Sequence, residues 1–103
     1  MYATVKNGKV EFHEGMPTLT QMQSVVGGYI ETADRCPTQR ANVEIGVYCN
    51  EDGIGLELPL TFYNTYGSPI FGDLILVAEN SRSGNTVKAT KAELEMAVMR
   101  IGI

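Results

Sequence analysis

The chain has 103 residues, the length of one ordinary domain, and its 8 basic and 12 acidic residues give a net charge of −4. This charge argues against binding to a nucleic-acid duplex, because proteins that bind its phosphate backbone carry a basic stripe. No apolar run approaches the roughly 20 residues needed to cross a bilayer, and the first residues do not resemble a secretory leader. We therefore expect one domain over residues 1–103, in the cytoplasm and without membrane contact.

Residues 2–13 are predicted to form a β-hairpin. Asn7 and Gly8 are typical of a two-residue type I′ turn, since both residue types tolerate positive φ angles. The alternation of apolar and polar residues agrees with the register that this turn sets. One face of the hairpin then carries four apolar side chains, namely Ala3, Val5, Val10 and Phe12.

A short capped helix is predicted over about residues 18–26. Thr18 and Gln21 have the spacing of a capping box, and Gly27 stands where a left-handed residue commonly ends a helix. A helix of about two turns is not stable alone, so it must pack on the rest of the fold. Its apolar face is formed by Leu19, Met22, Val25 and Val26.

Gly27 and Gly28 connect this helix directly to a strand that begins near Tyr29. A glycine pair at such a junction permits a close approach to the backbone, because no Cβ atom occupies the space. The approaching group is either a neighbouring element of the fold or a ligand. Gly27, Gly28 and Tyr29 are therefore candidate ligand-binding residues, with packing as the alternative explanation.

Residues 33–42 are predicted to form a loop, since they combine Pro37 with several polar side chains. A loop of about ten residues is long enough to carry function. Arg35 and Arg40 are candidates for binding an anionic ligand, because the guanidinium group matches phosphate and carboxylate geometry. Ordinary surface charge is the alternative explanation for both arginines.

Two strands are predicted in the middle of the chain. Residues 43–49 form the first, residues 50–53 form a turn, and residues 54–60 form a second strand that pairs back as far as Leu58. Pro59 ends this pairing because proline has no N–H group to donate. The first strand is expected to bury Val43, Ile45, Val47 and Cys49.

The segment after the second strand is rich in aromatic residues. Tyr63 and Tyr66 could stack on a flat ligand, while Asn64 could form hydrogen bonds with the edge of that ligand. The same tyrosines could instead cover the edge of the core, since aromatic rings pack well there. We count Tyr63, Asn64 and Tyr66 among the candidate ligand-binding residues.

Residues 71–78 are apolar on both faces beyond Asp73, a pattern that predicts a central strand covered on both sides. Residues 86–88 predict a short edge strand. Together with the strands above, these predict an α+β domain with a mostly antiparallel sheet of about five to seven strands and two helices packed on it. Apart from the N-terminal hairpin, the strands lie within residues 28–88.

The second helix is predicted over about residues 91–101. Thr90 and Glu93 have the spacing of a second capping box. Met96 and Met99 widen the apolar stripe of this helix. Methionine is often core filler, but so wide a stripe could also contact a second copy of the chain, so a homo-oligomer through this helix is possible. The stripe itself comprises Leu94, Ala97, Val98 and Ile101.

No catalytic constellation is recognisable. The chain has no phosphate-binding P-loop, no nucleophile elbow and no histidine pair, although carboxylates such as Glu31 and Asp73 could meet in space. His13 is expected on the surface, with a general base as the alternative. Cys36 and Cys49 form no CxxC pair, so we expect reduced thiols, Cys49 buried, no metal site and no cofactor.

Four short motifs occur in order along the chain: VGGYIE at residues 26–31, CNEDG at 49–53, GLELP at 55–59 and GD at 72–73. With Asn64 between the last two, this pattern resembles a small family of unknown function found in bacteriophages and bacterial mobile elements. The resemblance extends over about residues 19–78. It implies a phage-type accessory protein that works inside the host cell.

Three functional hypotheses follow from the resemblance and from the candidate residues. The first is a non-enzymatic counter-defence protein that sequesters a small anionic molecule, such as a nucleotide signal. The second is an interaction protein that inhibits a host enzyme by docking on its surface. The third is a small nucleotide-processing enzyme.

Overall fold

Eight strands and two helices make up the fold, and the computed structural model describes all residues from 1 to 103. In chain order they are β1 (Tyr2–Lys6), β2 (Lys9–His13), α1 (Leu19–Val26), β3 (Ile30–Pro37), β4 (Val43–Asn50), β5 (Leu60–Tyr63), β6 (Pro69–Phe71), β7 (Leu74–Asn80), β8 (Thr86–Val87) and α2 (Lys91–Ile101).

Six of the strands form one sheet with the spatial order β2-β1-β7-β4-β3, and β8 pairs with the C-terminal end of β7. Strands β5 and β6 form a separate two-stranded sheet. Every strand pair is antiparallel, so the predicted α+β class with a mostly antiparallel sheet and two helices is confirmed. Neither helix is both long and apolar enough to span a membrane.

The β1–β2 hairpin has the register that the Asn7-Gly8 turn predicts, with Val5 opposite Val10. The sequence predicts that His13 lies exposed on the surface, and the structure differs. It is half-buried, its Nε2 lies 2.8 Å from Thr4 Oγ1, and its ring stacks on Tyr2 with 4.9 Å between the ring centroids. The histidine therefore belongs to the packing of the hairpin face.

Strand β7 is the centre of the sheet, as its continuous apolar sequence predicts, and its residues from Leu74 to Glu79 are buried. Apolar side chains on both faces of a strand require cover on both sides, and the two helices supply it. The layer that contains the buried residues of α2 comprises Ala3, Val5, Ala33, Cys36, Ile45, Val47, Cys49, Phe62, Leu74, Leu76, Ala78, Ala89, Leu94, Ala97 and Ile101. The layer that contains those of α1 comprises Met22, Val26, Ile75 and Val77.

Both helices begin with the predicted capping box. In α1, Thr18 Oγ1 accepts the backbone N–H of Gln21, whose side chain accepts the N–H of Thr18, and Gly27 ends the helix at φ 81°. Met22 and Val26 are buried, but Leu19 is 58 % exposed. The prediction that Leu19 faces the core is wrong, because α1 packs on the sheet through the later part of its length.

Helix α2 buries Leu94, Ala97 and Ile101 and ends at Gly102 with φ 80°. Met96 and Met99, one turn apart, are 63 % and 76 % exposed. The apolar surface that these methionines add therefore lies outside the core of this chain. The homo-oligomer through α2 remains a prediction.

Two predictions of backbone structure are wrong. Residues 33–42 do not form one loop, because β3 continues to Pro37 and pairs with β4 along its length. Residues 54–60 do not pair back on β4, because β3 and β7 already occupy both edges of that strand. Residues 51–57 instead form consecutive turns in which Leu56 N–H donates to Asp52 O and Glu57 adopts φ 55°.

Both cysteines are free thiols in the core, with Cys36 2 % and Cys49 4 % exposed. Burial raises the pKa of both thiols, and it raises that of Cys49 to about 11. At pH 8 the native protein should therefore react with a thiol reagent such as DTNB at least about 100-fold more slowly than the urea-unfolded protein, which should release two equivalents. Rapid labelling of the native protein at either cysteine would contradict this description of the core.

Candidate functional site

Three of the predicted site residues, Arg35, Asn64 and Tyr66, line one groove on the surface of the fold. The groove has a volume of about 230 Å³ and lies between β3 and the turn that connects β5 to β6. Its walls are residues 32–35 and residues 64–66. The chain thus brings together residues that are far apart in sequence.

A β-bulge in β3 shapes the groove. The register of β3 against β4 shifts between Thr32 and Asp34, so that two successive residues, Ala33 and Asp34, are both buried. A bulge bends an edge strand and redirects its side chains. Here it directs the Asp34 carboxylate toward the β5–β6 turn.

Asp34, 9 % exposed, holds the β5–β6 turn in place. Its Oδ2 accepts the backbone N–H of Thr65 at 3.0 Å, and its Oδ1 accepts the Thr65 hydroxyl at 2.9 Å and the backbone N–H of Arg35 at 2.9 Å. Hydrogen bonds to a charged acceptor are stronger than those between neutral groups. The carboxylate therefore fixes the distance between the two walls of the groove.

Asn64 provides a second connection between the walls. Its Nδ2 donates to the carbonyl of Ala33 at 2.9 Å, and its Oδ1 accepts the backbone N–H groups of Tyr66 and Ser68 at 3.0 and 2.9 Å. A side-chain amide has two N–H donors, so one remains for a ligand. Most of the hydrogen-bonding capacity of Asn64 is nevertheless used to shape the turn.

Tyr66 presents an aromatic ring at the mouth of the groove and is 90 % exposed. A ring with free faces can stack on a planar group, whereas a core ring cannot. Tyr63, on β5, is also exposed but does not line the groove. The structure thus separates the two tyrosines that the sequence placed in one candidate site.

Arg35 lies on β3, where its Nη1 donates to Glu44 Oε1 at 2.6 Å. This hydrogen bond raises the pKa of the guanidinium group, which is charged in any case. The Arg35 side chain is 52 % exposed, and the contact with Glu44 uses one of its five N–H donors. Arg35 therefore retains donors that face solvent beside the groove.

Arg40 has a different role. Its Nε and Nη2 donate to the two carboxylate oxygens of Glu93 at 2.8 and 3.0 Å, and Nη2 also donates to the carbonyl of Lys88. Partial burial acts to raise the pKa of the Glu93 carboxyl. The hydrogen bonds from Arg40 act in the opposite direction, and the pKa is lowered. Arg40 thereby fastens the β3–β4 turn to the start of α2, and it does not line the groove.

Gly27 and Gly28 lie against Asn50, which is 4 % exposed. Asn50 Nδ2 donates to the carbonyl of Val26 at 3.1 Å, and a Cβ atom at residue 28 would lie only 2.9 Å from that nitrogen. The close approach that the glycine pair permits is therefore made by a neighbouring side chain. Tyr29, whose carbonyl accepts the N–H of Glu51, is exposed and does not line the groove.

Asp34 and Thr65 complete the groove and were not predicted. Aspartate next to arginine is typical of an exposed loop, and only the bulge in β3 turns the Asp34 side chain inward. A second polar contact, between Tyr48 and Glu79, was also not predicted. The Tyr48 hydroxyl lies 2.6 Å from both carboxylate oxygens of the buried Glu79, and burial together with this contact raises the pKa of Tyr48.

No group of three or more histidine, cysteine, aspartate or glutamate side chains is arranged to hold a metal ion.

Among known proteins, neither a curated sequence nor a solved structure matches the chain. A family model matches residues 2–101, a span that contains every helix and strand of the fold. The resemblance to a family of unknown function is confirmed at this level, and the chain belongs to the family described as Domain of unknown function (DUF3846).

Proposed function

We propose that the protein binds a small anionic molecule of the nucleotide class in the groove between β3 and the β5–β6 turn, and holds it without converting it. The observation that carries this proposal is the meeting of Arg35, Asn64 and Tyr66 in one groove. A cationic fork, an amide and an exposed aromatic ring are the three groups that recognise a phosphate, a base edge and a base face.

The size of the groove suggests how such a ligand would bind. A volume of about 230 Å³ is smaller than the roughly 300–1,000 Å³ of sites that enclose a whole drug-sized ligand. The groove would therefore hold one base, stacked on Tyr66 and bonded at its edge by the free N–H of Asn64. The phosphate would lie outside, against the exposed donors of Arg35.

Binding without turnover is supported by the hydrogen bonds that the polar side chains of the groove already form within the chain. Asp34 is the one carboxylate in the lining, and its oxygens already accept hydrogen bonds from Thr65 and Arg35. A general base needs a free lone pair within reach of the proton that it removes. Among the groove residues, none offers a carboxylate or an imidazole that is free of hydrogen bonds within the chain.

The proposed biological role is counter-defence. The chain resembles proteins of bacteriophages and bacterial mobile elements, for which removal of a nucleotide immune signal in the host cytoplasm would be a direct advantage. A small protein can achieve this by binding alone, provided that it is abundant and releases the signal slowly.

The test is nucleotide binding by wild-type protein and matched variants, measured by calorimetry with AMP and with cyclic dinucleotides. Arg35→Ala should weaken binding by at least about 10-fold, because a charge-assisted contact with phosphate is lost. Arg82→Ala is the control, since Arg82 is exposed and forms no ion pair. Tyr66→Ala should also weaken binding, and Tyr29→Ala, which removes another exposed ring, should not.

Native mass spectra of the same samples separate the alternatives. Bound nucleotide released unchanged would support sequestration, and appearance of a product would favour the nucleotide-processing enzyme. Wild-type affinity in both Arg35→Ala and Tyr66→Ala would overturn the assignment of the groove. Failure of the wild-type protein to bind any nucleotide would overturn the proposed function itself.

The second candidate, an interaction protein that inhibits a host enzyme by surface docking, is favoured by the exposed Met96 and Met99 on α2. Flexible methionine side chains adapt well to a partner surface. The same surface suits the predicted homo-oligomer, and the subunit number in the native mass spectra distinguishes self-association from a free docking surface.

A further inference from the structure

A second concave region of the fold, with a volume of about 720 Å³, contains none of the predicted site residues. It lies where the hairpin turn, the end of α1, the start of β5 and the turn before β7 meet. This volume falls within the range of small-molecule sites. The lining consists of Asn7, Gly8, Val26, residues 58–61, Gly72, Asp73, Gly102 and Ile103.

The wall formed by residues 58–61 is held in place by two hydrogen bonds to the backbone of Gly72. Gly72 N–H donates to the carbonyl of Pro59 at 2.8 Å, and the Thr61 hydroxyl donates to the carbonyl of Gly72. Gly72 has φ +87°, and a Cβ atom there would lie 2.7 Å from Leu58 Cδ1. Only glycine fits this turn without strain, so the turn beside the cavity wall has one well-defined backbone conformation.

Part of the lining is apolar and lacks cover. Leu60 is 49 % exposed and belongs to neither buried layer of the fold, and Leu58 lies beside it in the same wall. Covering such side chains is favourable at about 25 cal/mol per Å² of apolar surface. A ligand with a short hydrocarbon body would therefore gain from binding here.

The charge of the lining is negative. Asp73 Oδ1 accepts the backbone N–H of Asn7 at 3.0 Å, while Oδ2 accepts no hydrogen bond from the protein. The lining contains no lysine, arginine or histidine. A half-buried carboxylate with one free oxygen and no basic neighbour in the cavity attracts a cation and repels an anion.

We infer that this cavity is a binding site for a small organic cation, a primary amine with a short apolar body. The ammonium group contacts Asp73 Oδ2, and the hydrocarbon chain lies along Leu58 and Leu60. This site is independent of the nucleotide groove, because the two share no lining residue and require ligands of opposite charge.

The test uses three probes of equal chain length, hexylammonium, hexanol and hexanoate, titrated into the folded protein at pH 7 and followed by NMR. Hexylammonium should shift the backbone amide signals of Asn7, Thr61 and Asp73. Hexanol should bind at least about 10-fold more weakly, since it lacks the charge-assisted contact, and hexanoate should not bind. Binding of hexanoate as tight as that of hexylammonium, or amide shifts elsewhere only, would overturn the inference.

Variants test separately how much the charge of Asp73 and the apolar wall contribute to binding. Asp73→Asn keeps an oxygen that can accept the Asn7 N–H, and it should weaken hexylammonium binding by about 10-fold or more. Asp52→Asn, at an exposed aspartate outside the cavity, is the control and should bind like the wild type. Leu60→Ser, at a half-exposed residue that belongs to neither buried layer of the fold, should weaken binding by about 3-fold or more. Unchanged affinity in both Asp73→Asn and Leu60→Ser would overturn the inference.

Discussion

Leu94→Ala should lower the free energy of unfolding by about 2–5 kcal/mol, the range for leucine truncation in a well-packed core. Leu94 is 0 % exposed and packs from α2 into the same layer as Ile45 and Leu76. Removing its side chain leaves a cavity beneath the helix, since the sheet cannot move toward α2 without disturbing its own pairing. Urea unfolding followed by circular dichroism measures the loss.

Leu19→Ala is the matched control, because it makes the same chemical change at a leucine that is 58 % exposed. It should cost less than about 0.5 kcal/mol. Equal losses in the two variants would mean that α2 is not held on the sheet through Leu94.

Asp34→Ala should lower the free energy of unfolding by about 3 kcal/mol and detach the β5–β6 turn from β3. The substitution removes the acceptor for the backbone N–H groups of Thr65 and Arg35, and the Asp34 side chain is only 9 % exposed. Buried donors without an acceptor are costly because water cannot replace the lost bond. The nucleotide binding that we propose for the groove should be lost together with the turn.

Asp52→Ala is the control for the charge, since Asp52 is exposed and its carboxylate makes no hydrogen bond. It should leave stability and the amide spectrum of residues 64–66 unchanged. Asp34→Asn, which keeps one acceptor oxygen, should fall between the wild type and Asp34→Ala. An Asp34→Ala protein as stable as Asp52→Ala would show that the carboxylate does not organise the turn.

The elements that sequence reasoning predicted well are those whose signals are local. The β1–β2 hairpin is specified by Asn7 and Gly8 at the turn and by alternation on either side. The central position of β7 follows from its apolar residues on both faces, which only a strand covered on both sides can bury. The two capping boxes mark the helix starts in the same direct way.

The failures concern features that depend on distant neighbours. Arg35 and Pro37 give β3 the composition of a loop, because an edge strand tolerates polar residues and proline. Residues 54–60 alternate like a strand, but the pairing edges of β4 are already taken. Competition between strands for one edge cannot be read from either strand alone.

The candidate site shows the same limit. Arg35, Asn64 and Tyr66 were selected for their chemistry, and their meeting depends on the bulge at Ala33, which no local pattern indicates. Arg40 has the same side chain as Arg35, but it forms an ion pair with Glu93 on α2. The role of Asp34 was not predicted, because its side chain is buried only when the β5–β6 turn is folded against β3.

The pairing of β1 with β7 sets the order in which the molecule can assemble. Ala3 pairs with Leu76, so β1 is synthesised well before β7, the strand beside which it lies in the sheet. A two-stranded hairpin is at best marginally stable in water, and non-local pairing of this kind slows folding to milliseconds or seconds. A nascent chain that stops before residue 74 therefore lacks the strand that pairs with this edge of β1, and the edge stays unpaired until β7 is made.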